Sequence, residues 1–270
     1  MNRFSMQFLS NQQNNISKNN NMLVDKNKYF DKNMHYYICS YGGCGSTVLF
    51  NYLSGFGNVY HIHDRYPPNK LTYIGQRNTQ EDVYSEWFNN IEIPEEHLSN
   101  YKVIFVYRHP IPVIFSRFTQ TNGPNILHLQ HIKCANNGNI NLFDVLRSKR
   151  DLYGMEAFFD NYMTSPSNKN YPIYSVKYEL FWNNISLFNN ILGIPDIKEV
   201  YPIKQERSKR FSFVNELSFI YNSLINKMNK RNFIEIIRPL EVEVEEEVEV
   251  VEEEVEVVEE EVEVVEEVEV

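Results

Sequence analysis

Tyr41–Thr47 reads Y-G-G-C-G-S-T and runs straight into Val48, Leu49 and Phe50. Gly42, Gly43 and Gly45 let the backbone curl so that successive N–H groups point inward. Ser46 and Thr47 add hydroxyls where a helix is expected to begin. Amides, hydroxyls and a helix dipole together bind an anion without a charged side chain. Loops that hold nucleoside triphosphates read G-x-x-x-x-G-K-[ST] and set their lysine on the β- and γ-phosphates. Here Ser46 follows Gly45 directly, with no lysine. The stretch therefore predicts a phosphate cradle and speaks against a kinase or NTPase. The plain alternative is a tight strand–helix turn with no ligand.

Two further sets of residues could act with that loop. In "VIFVYRHPIPVIFSRF", Arg108 leaves the end of an apolar run and Ser116 lies two turns into the following helix. Both side chains can face one phosphate, and the planar arginine fork suits phosphate bidentately. The alternative is an arginine in a surface salt bridge. His61 and His63 fall on the same side of a short strand by alternation. Imidazole titrates near neutral pH and can accept a proton from a reacting hydroxyl. With Cys134 these histidines could be drawn as metal ligands, but nothing has metal-site spacing, so no metal is expected.

These stretches resemble the sulfotransferase family. Its loop resembles Y-P-K-S-G-T-T, against Y-G-G-C-G-S-T here. The resemblance implies a P-loop-like fold and transfer of a sulfuryl group from 3′-phosphoadenosine 5′-phosphosulfate (PAPS) to an acceptor hydroxyl or amine. With no γ-phosphate or magnesium to organise, the missing lysine is accounted for. Carried over to this chain, Gly42, Gly43, Cys44, Gly45, Ser46 and Thr47 would hold the 5′-phosphosulfate. Arg108 and Ser116 would hold the 3′-phosphate; Pro110 matches a proline common in the family, while Pro112 replaces a frequent Asp. The family commonly has a histidine base just after the strand that follows the loop helix. That implies His63, with His61 as the alternative and Glu81 or Glu86 as further candidates.

"YSVKYELF" (174–181) resembles the family's strand-end segment and would bring Tyr178 to the adenine. "KQERSKR" (204–210) is a basic cluster where the family often has another 3′-phosphate loop. One departure matters. The family's loop usually carries Lys or Arg where this chain has Gly43. The loop must then rely on amides and hydroxyls, or borrow a base from elsewhere. The rival readings are a catalytically silent nucleotide-binding or interaction protein on the same fold, and then a nucleotide kinase. The expected acceptor is a small molecule, glycan or protein, with no nucleic-acid or membrane partner; the oligomeric state is open.

The elements that must carry these residues alternate in type. Apolar runs predict strands at Tyr36–Ser40, Val59–His63, Lys102–Tyr107 and Ile173–Lys177. "KVIFVY" is continuous rather than alternating, as in a central parallel strand. Helical periodicity predicts Ser46–Leu53, Gln80–Asn90, Ile111–Phe118, Leu142–Tyr162 with a break near Gly154, Leu180–Leu192 and Phe213–Arg231. Alternation of this kind implies an α/β three-layer sandwich around a mostly parallel sheet, of the P-loop NTPase-like class. Ligands of such sheets sit at the carboxyl ends of the strands, where all three motifs fall.

Composition sets the limits. Residues 241–270 contain only Glu and Val and hold 17 of the chain's 36 acidic residues. The 19 others face 26 Lys and Arg, so the rest of the chain is basic although the whole is −10. A basic body suits an anionic ligand. Residues 1–33, rich in Asn, Gln and Lys, predict a disordered leader, 34–240 a sulfotransferase-like domain, and 241–270 a low-complexity acidic tail. The valines of the tail keep 3–4 spacing, but a seam flanked by glutamates repels itself, so disorder is expected. The functional alternative is a polyanion that competes for the basic body. Three cysteines without a framework suit a reducing, cytoplasmic setting. No apolar run of membrane-spanning length and no secretory signal occurs.

Overall fold

A computed structural model describes residues 26–74, 91–118, 140–164, 169–204 and 211–239. Five strands form one sheet in the order β2-β1-β3-β4-β5. They are β1 (His35–Ser40), β2 (Asn58–Ile62), β3 (Tyr101–Tyr107), β4 (Ile173–Lys177) and β5 (Ile234–Ile237). The first four are parallel, and β5 pairs antiparallel with β4. The predicted strands are present to within a residue or two. β3 is buried along nearly its whole length, as a strand covered on both faces must be.

The register shows which helices cover which face. Phe105 aligns with Cys39, which aligns with Ile62, so these three point one way. Phe105 stacks on Tyr162 of the helix Met155–Met163 at 4.6 Å between ring centres. His61 aligns with Ile38, which aligns with Ile104, so these point the other way. His61 meets Phe50 of the helix Ser46–Leu53 at 4.8 Å. The two helices therefore lie on opposite faces, which makes three layers.

In chain order the α-helices are α1 (Ser46–Leu53), α2 (Pro110–Arg117), α3 (Leu142–Ser148), α4 (Met155–Met163), α5 (Tyr178–Phe181), α6 (Ile185–Leu192), α7 (Val214–Ile220) and α8 (Asn222–Asn229). The break expected near Gly154 is there, because Gly154 caps α4 at φ 64°. Two stretches expected to be single helices are each divided. Trp182–Asn184 separate α5 from α6, and Tyr221 separates α7 from α8. Strand β5 was not foreseen. The predicted helix 80–90, Glu81 and Glu86 within it, Cys134, most of the 204–210 cluster and the acidic tail lie outside the described residues.

The packed chain begins before residue 34. Lys26–Tyr29 forms a 3-10 turn, Asp31 N–H donates to the Phe56 carbonyl at 3.1 Å, and Asn58 donates to the Lys32 carbonyl at 2.8 Å. At the other end, the chain divides between Leu240 and Glu241, and all the described residues fall in the first unit. Among the described residues, no helix is long and apolar enough to cross a membrane.

Candidate functional site

Because β1–β4 are parallel, their carboxyl ends share one edge of the sheet, and each strand delivers a candidate residue there. Beyond β2 stands His63, beyond β1 the loop 41–45, beyond β3 Arg108, and beyond β4 Tyr178. Chain order reverses at β1: α1 carries it to β2 on one side, while β3 lies on the other. Loops leaving the sheet at such a switch point diverge and open a crevice. The glycine loop and Arg108 flank that point.

The loop has the backbone its sequence implies. Gly42, Gly43 and Gly45 have φ of 91°, 70° and 91°. These values are unfavourable for residues with a Cβ. Gly45 is the N-cap of α1, and no side chain caps that helix end. Its first amides thus lack the side-chain acceptor that usually satisfies them. The loop is anchored from both directions. The Tyr41 hydroxyl donates to the Tyr153 carbonyl at 2.9 Å, and Gly42 N–H donates to Ser40 Oγ at 3.2 Å.

Side chains from other elements pack on the loop. A Cβ at Gly45 would lie 2.0 Å from the ring of Tyr178, so only glycine fits beneath it. Arg108 lies over the same ring, with its guanidinium carbon 5.2 Å from the ring centre. Glu179 holds this corner: its Oε1 accepts from His109 N–H at 2.8 Å and stands 4.0 Å from Arg108 Nε. A Cβ at Gly43 would meet Ser116 Cβ and Arg117 Cγ, each at 3.3 Å. Helix α2 therefore places Ser116 beside the loop, and Arg117 with it. The Nε atoms of both Arg108 and Arg117 are buried without a hydrogen-bond partner among the described residues.

Cys44 is buried, and its thiol donates to the Gly42 carbonyl. Burial pushes this thiol up to about 12, outweighing Arg117 and Arg108, whose charges pull it down. A thiol so protonated is a packing group rather than a nucleophile. That removes thiolate chemistry from what the loop can do.

The two histidines share a face, as alternation requires, with ring centres 6.1 Å apart. His63 is 3% exposed, and its Nδ1 lies 2.7 Å from the Ser40 carbonyl. A carbonyl only accepts, so Nδ1 carries the proton and Nε2 the basic lone pair. Ser40 thus holds the loop through its hydroxyl and His63 through its carbonyl. His61 is set deeper along β2, against Phe50 and near Ser46. Burial lowers its basicity, the Ser46 backbone opposes that, and the charge of Arg117 adds to it.

Sequence reasoning missed Arg117 and Glu179. The signal for Arg117 was a charged residue directly after Ser116 in a helix otherwise apolar from Ile111 to Phe115. The signal for Glu179 was its place beside Tyr178 at a strand end. Among the described residues, no group of three or more His, Cys, Asp or Glu is placed to hold a metal ion. The arrangement gathers donors of the kind that bind a phosphate-like anion, the loop amides with Arg108, Ser116 and Arg117 packed around them, and sets His63 against the strand that leads into the loop.

Comparison with protein families, curated proteins and solved structures finds no match to this chain.

Proposed function

We propose that this chain is a sulfotransferase that takes PAPS as donor. The observation that carries this reading is the glycine loop at the switch point. It has three left-handed glycines, an uncapped helix end, no lysine, and Ser116 packed against Gly43. A donor without a γ-phosphate needs such a cradle and not the lysine. What supports a fit to a phosphate group is the run of left-handed glycines leading into a helix end without a side-chain cap, whose amides are donors. Arg108 and Ser116 are assigned to the 3′-phosphate, and the loop amides with Ser46 and Thr47 to the 5′-phosphosulfate. Tyr178 braces the loop at Gly45 and Arg108 at the mouth, beside the nucleoside.

PAPS supplies the sulfuryl group. In the transfer, the acceptor oxygen or nitrogen forms a bond to sulfur while the bond from sulfur to the 5′-phosphate oxygen breaks. The electron pair of that bond leaves on the phosphate, giving 3′-phosphoadenosine 5′-phosphate (PAP). The acceptor proton goes to His63 Nε2. The loop amides face the charge that develops on the leaving phosphate, where preorganised donors contribute most to rate.

Calorimetric titration of the full chain with PAP and with Mg-ATP, at low salt, tests the reading. Micromolar binding of PAP with weak binding of ATP is the expected result. Tighter ATP binding would move the chain to the kinases, and binding of neither would leave the loop as a turn. The absence of a base at Gly43 favours one second reading, a silent nucleotide-binding protein. PAP binding without transfer to any acceptor would select it.

A further inference from the structure

We propose that Arg117 supplies from helix α2 the cation that the loop itself lacks, and that it engages the 5′-phosphosulfate end of the donor. The inference rests on the PAPS reading above. It begins with Gly43, the position where a loop base would be expected. The space that a side chain at Gly43 would enter is already taken: Arg117 Cγ and Ser116 Cβ each stand 3.3 Å from the position of its Cβ. With φ at 70°, Gly43 could not readily carry a lysine. Substitution of the base by glycine and occupation of its space by a neighbouring arginine are therefore one arrangement.

The stem of Arg117 lies against the loop at Gly43. Arg108 has Glu179 at 4.0 Å, whereas among the described residues no acidic side chain pairs with Arg117. Its Nε is buried with no hydrogen-bond partner among the described residues. An unpaired buried donor of this kind costs stability, and an anion bound at the loop would satisfy it. The charge of Arg117 lowers the Cys44 thiol against the larger effect of burial, and it helps to lower His61. Arg108 thus meets the loop at Gly45, through the ring of Tyr178, and Arg117 meets it at Gly43.

This division of labour gives the two arginines different ligand dependences. If Arg117 meets the 5′ end, Arg117→Ala weakens PAP and adenosine 5′-phosphate at least about tenfold, the loss of one charge-assisted contact. It leaves adenosine 3′-phosphate unchanged, because that ligand has no 5′-phosphate. Arg108→Ala gives the reverse pattern, weakening PAP and adenosine 3′-phosphate and sparing adenosine 5′-phosphate. Arg117→Lys keeps the charge and restores at least part of the PAP affinity, which separates lost charge from lost packing. Measured on the full chain by calorimetry, this crossed pattern supports the inference. PAP binding that Arg117→Ala leaves intact, or weakens equally with adenosine 3′-phosphate, overturns it while leaving the donor reading standing. Failure of the unaltered chain to bind PAP overturns both.

Discussion

The ring of Tyr178 rests on Gly45 so closely that a Cβ there would lie 2.0 Å from it. This joins the end of β4 to the loop after β1 across the end of β3. Gly45 also has φ of 91°, so alanine is disfavoured twice, by its backbone and by its methyl group. Left-handed backbone alone costs about 1–2 kcal/mol for a residue with a Cβ. We expect Gly45→Ala to destabilise the fold by at least that amount and to abolish PAP binding. In a Tyr178→Ala background the clash is gone and only the backbone term remains. Denaturant titrations of the four proteins should then show that Gly45→Ala costs less beside Tyr178→Ala than alone. Strict additivity would mean that ring and loop are not coupled.

Arg108 and Glu179 make a second testable pair. We expect Arg108→Ala to weaken PAP at least about tenfold, and retained affinity would remove Arg108 from the site. Glu179 stands 4.0 Å from Arg108 Nε and competes with a phosphate for it. Glu179→Gln keeps an oxygen for His109 N–H and removes the charge. An exposed pair of this kind contributes about 0.2–1 kcal/mol. PAP affinity should therefore rise by up to about fivefold at low salt and lose that gain at high salt. A fall in affinity would make Glu179 a support for the arginine rather than its competitor.

His63 should act on rate and not on donor affinity. Its Nδ1 is committed to the Ser40 carbonyl at 2.7 Å, and we assign the base to Nε2. A positioned base contributes about 10²–10⁴-fold. We expect His63→Gln to lower turnover of labelled PAPS by that order, with the best acceptor from a panel of phenols, alcohols and amines. PAP affinity should stay within about twofold. His61→Gln should leave turnover nearly intact, since His61 packs on Phe50 deeper along β2. Reversed effects would move the base to His61.

The strands were legible because a buried parallel strand is written as a continuous apolar run, and "KVIFVY" is such a run. The loop was legible because only glycine supports its backbone. Strand β5 was not, since "IEII" is only four residues long and half-buried. The divisions at Trp182–Asn184 and Tyr221 carry no glycine or proline to announce them. Among the candidate site residues, Arg108 and Ser116 were named because they keep the spacing of the family segment that they resemble. Arg117 and Glu179 were not, because each gains its meaning from a partner on another strand end: Gly43 after β1 for one, Arg108 after β3 for the other. Such relations exist only once the sheet has assembled.

His61 gives the site a pH signature in stability. Burial holds it below its ordinary value of 6.5, with the Ser46 backbone opposing and Arg117 reinforcing that shift. Burial lowers His35 and His109 as well. A histidine lowered in this way binds its proton more readily in the unfolded chain. Stability from it is complete above about 6.5 and is lost as pH falls through the folded value. Urea unfolding of the full chain at pH 7.5 and pH 5.5 should therefore show a loss on acidification. The loss should be smaller in His61→Gln, which lacks one of the three groups. Both proteins share every carboxylate, so the difference isolates His61. An equal loss in the two would mean that His61 is hydrated, and that neither burial nor Arg117 acts on it as the geometry requires.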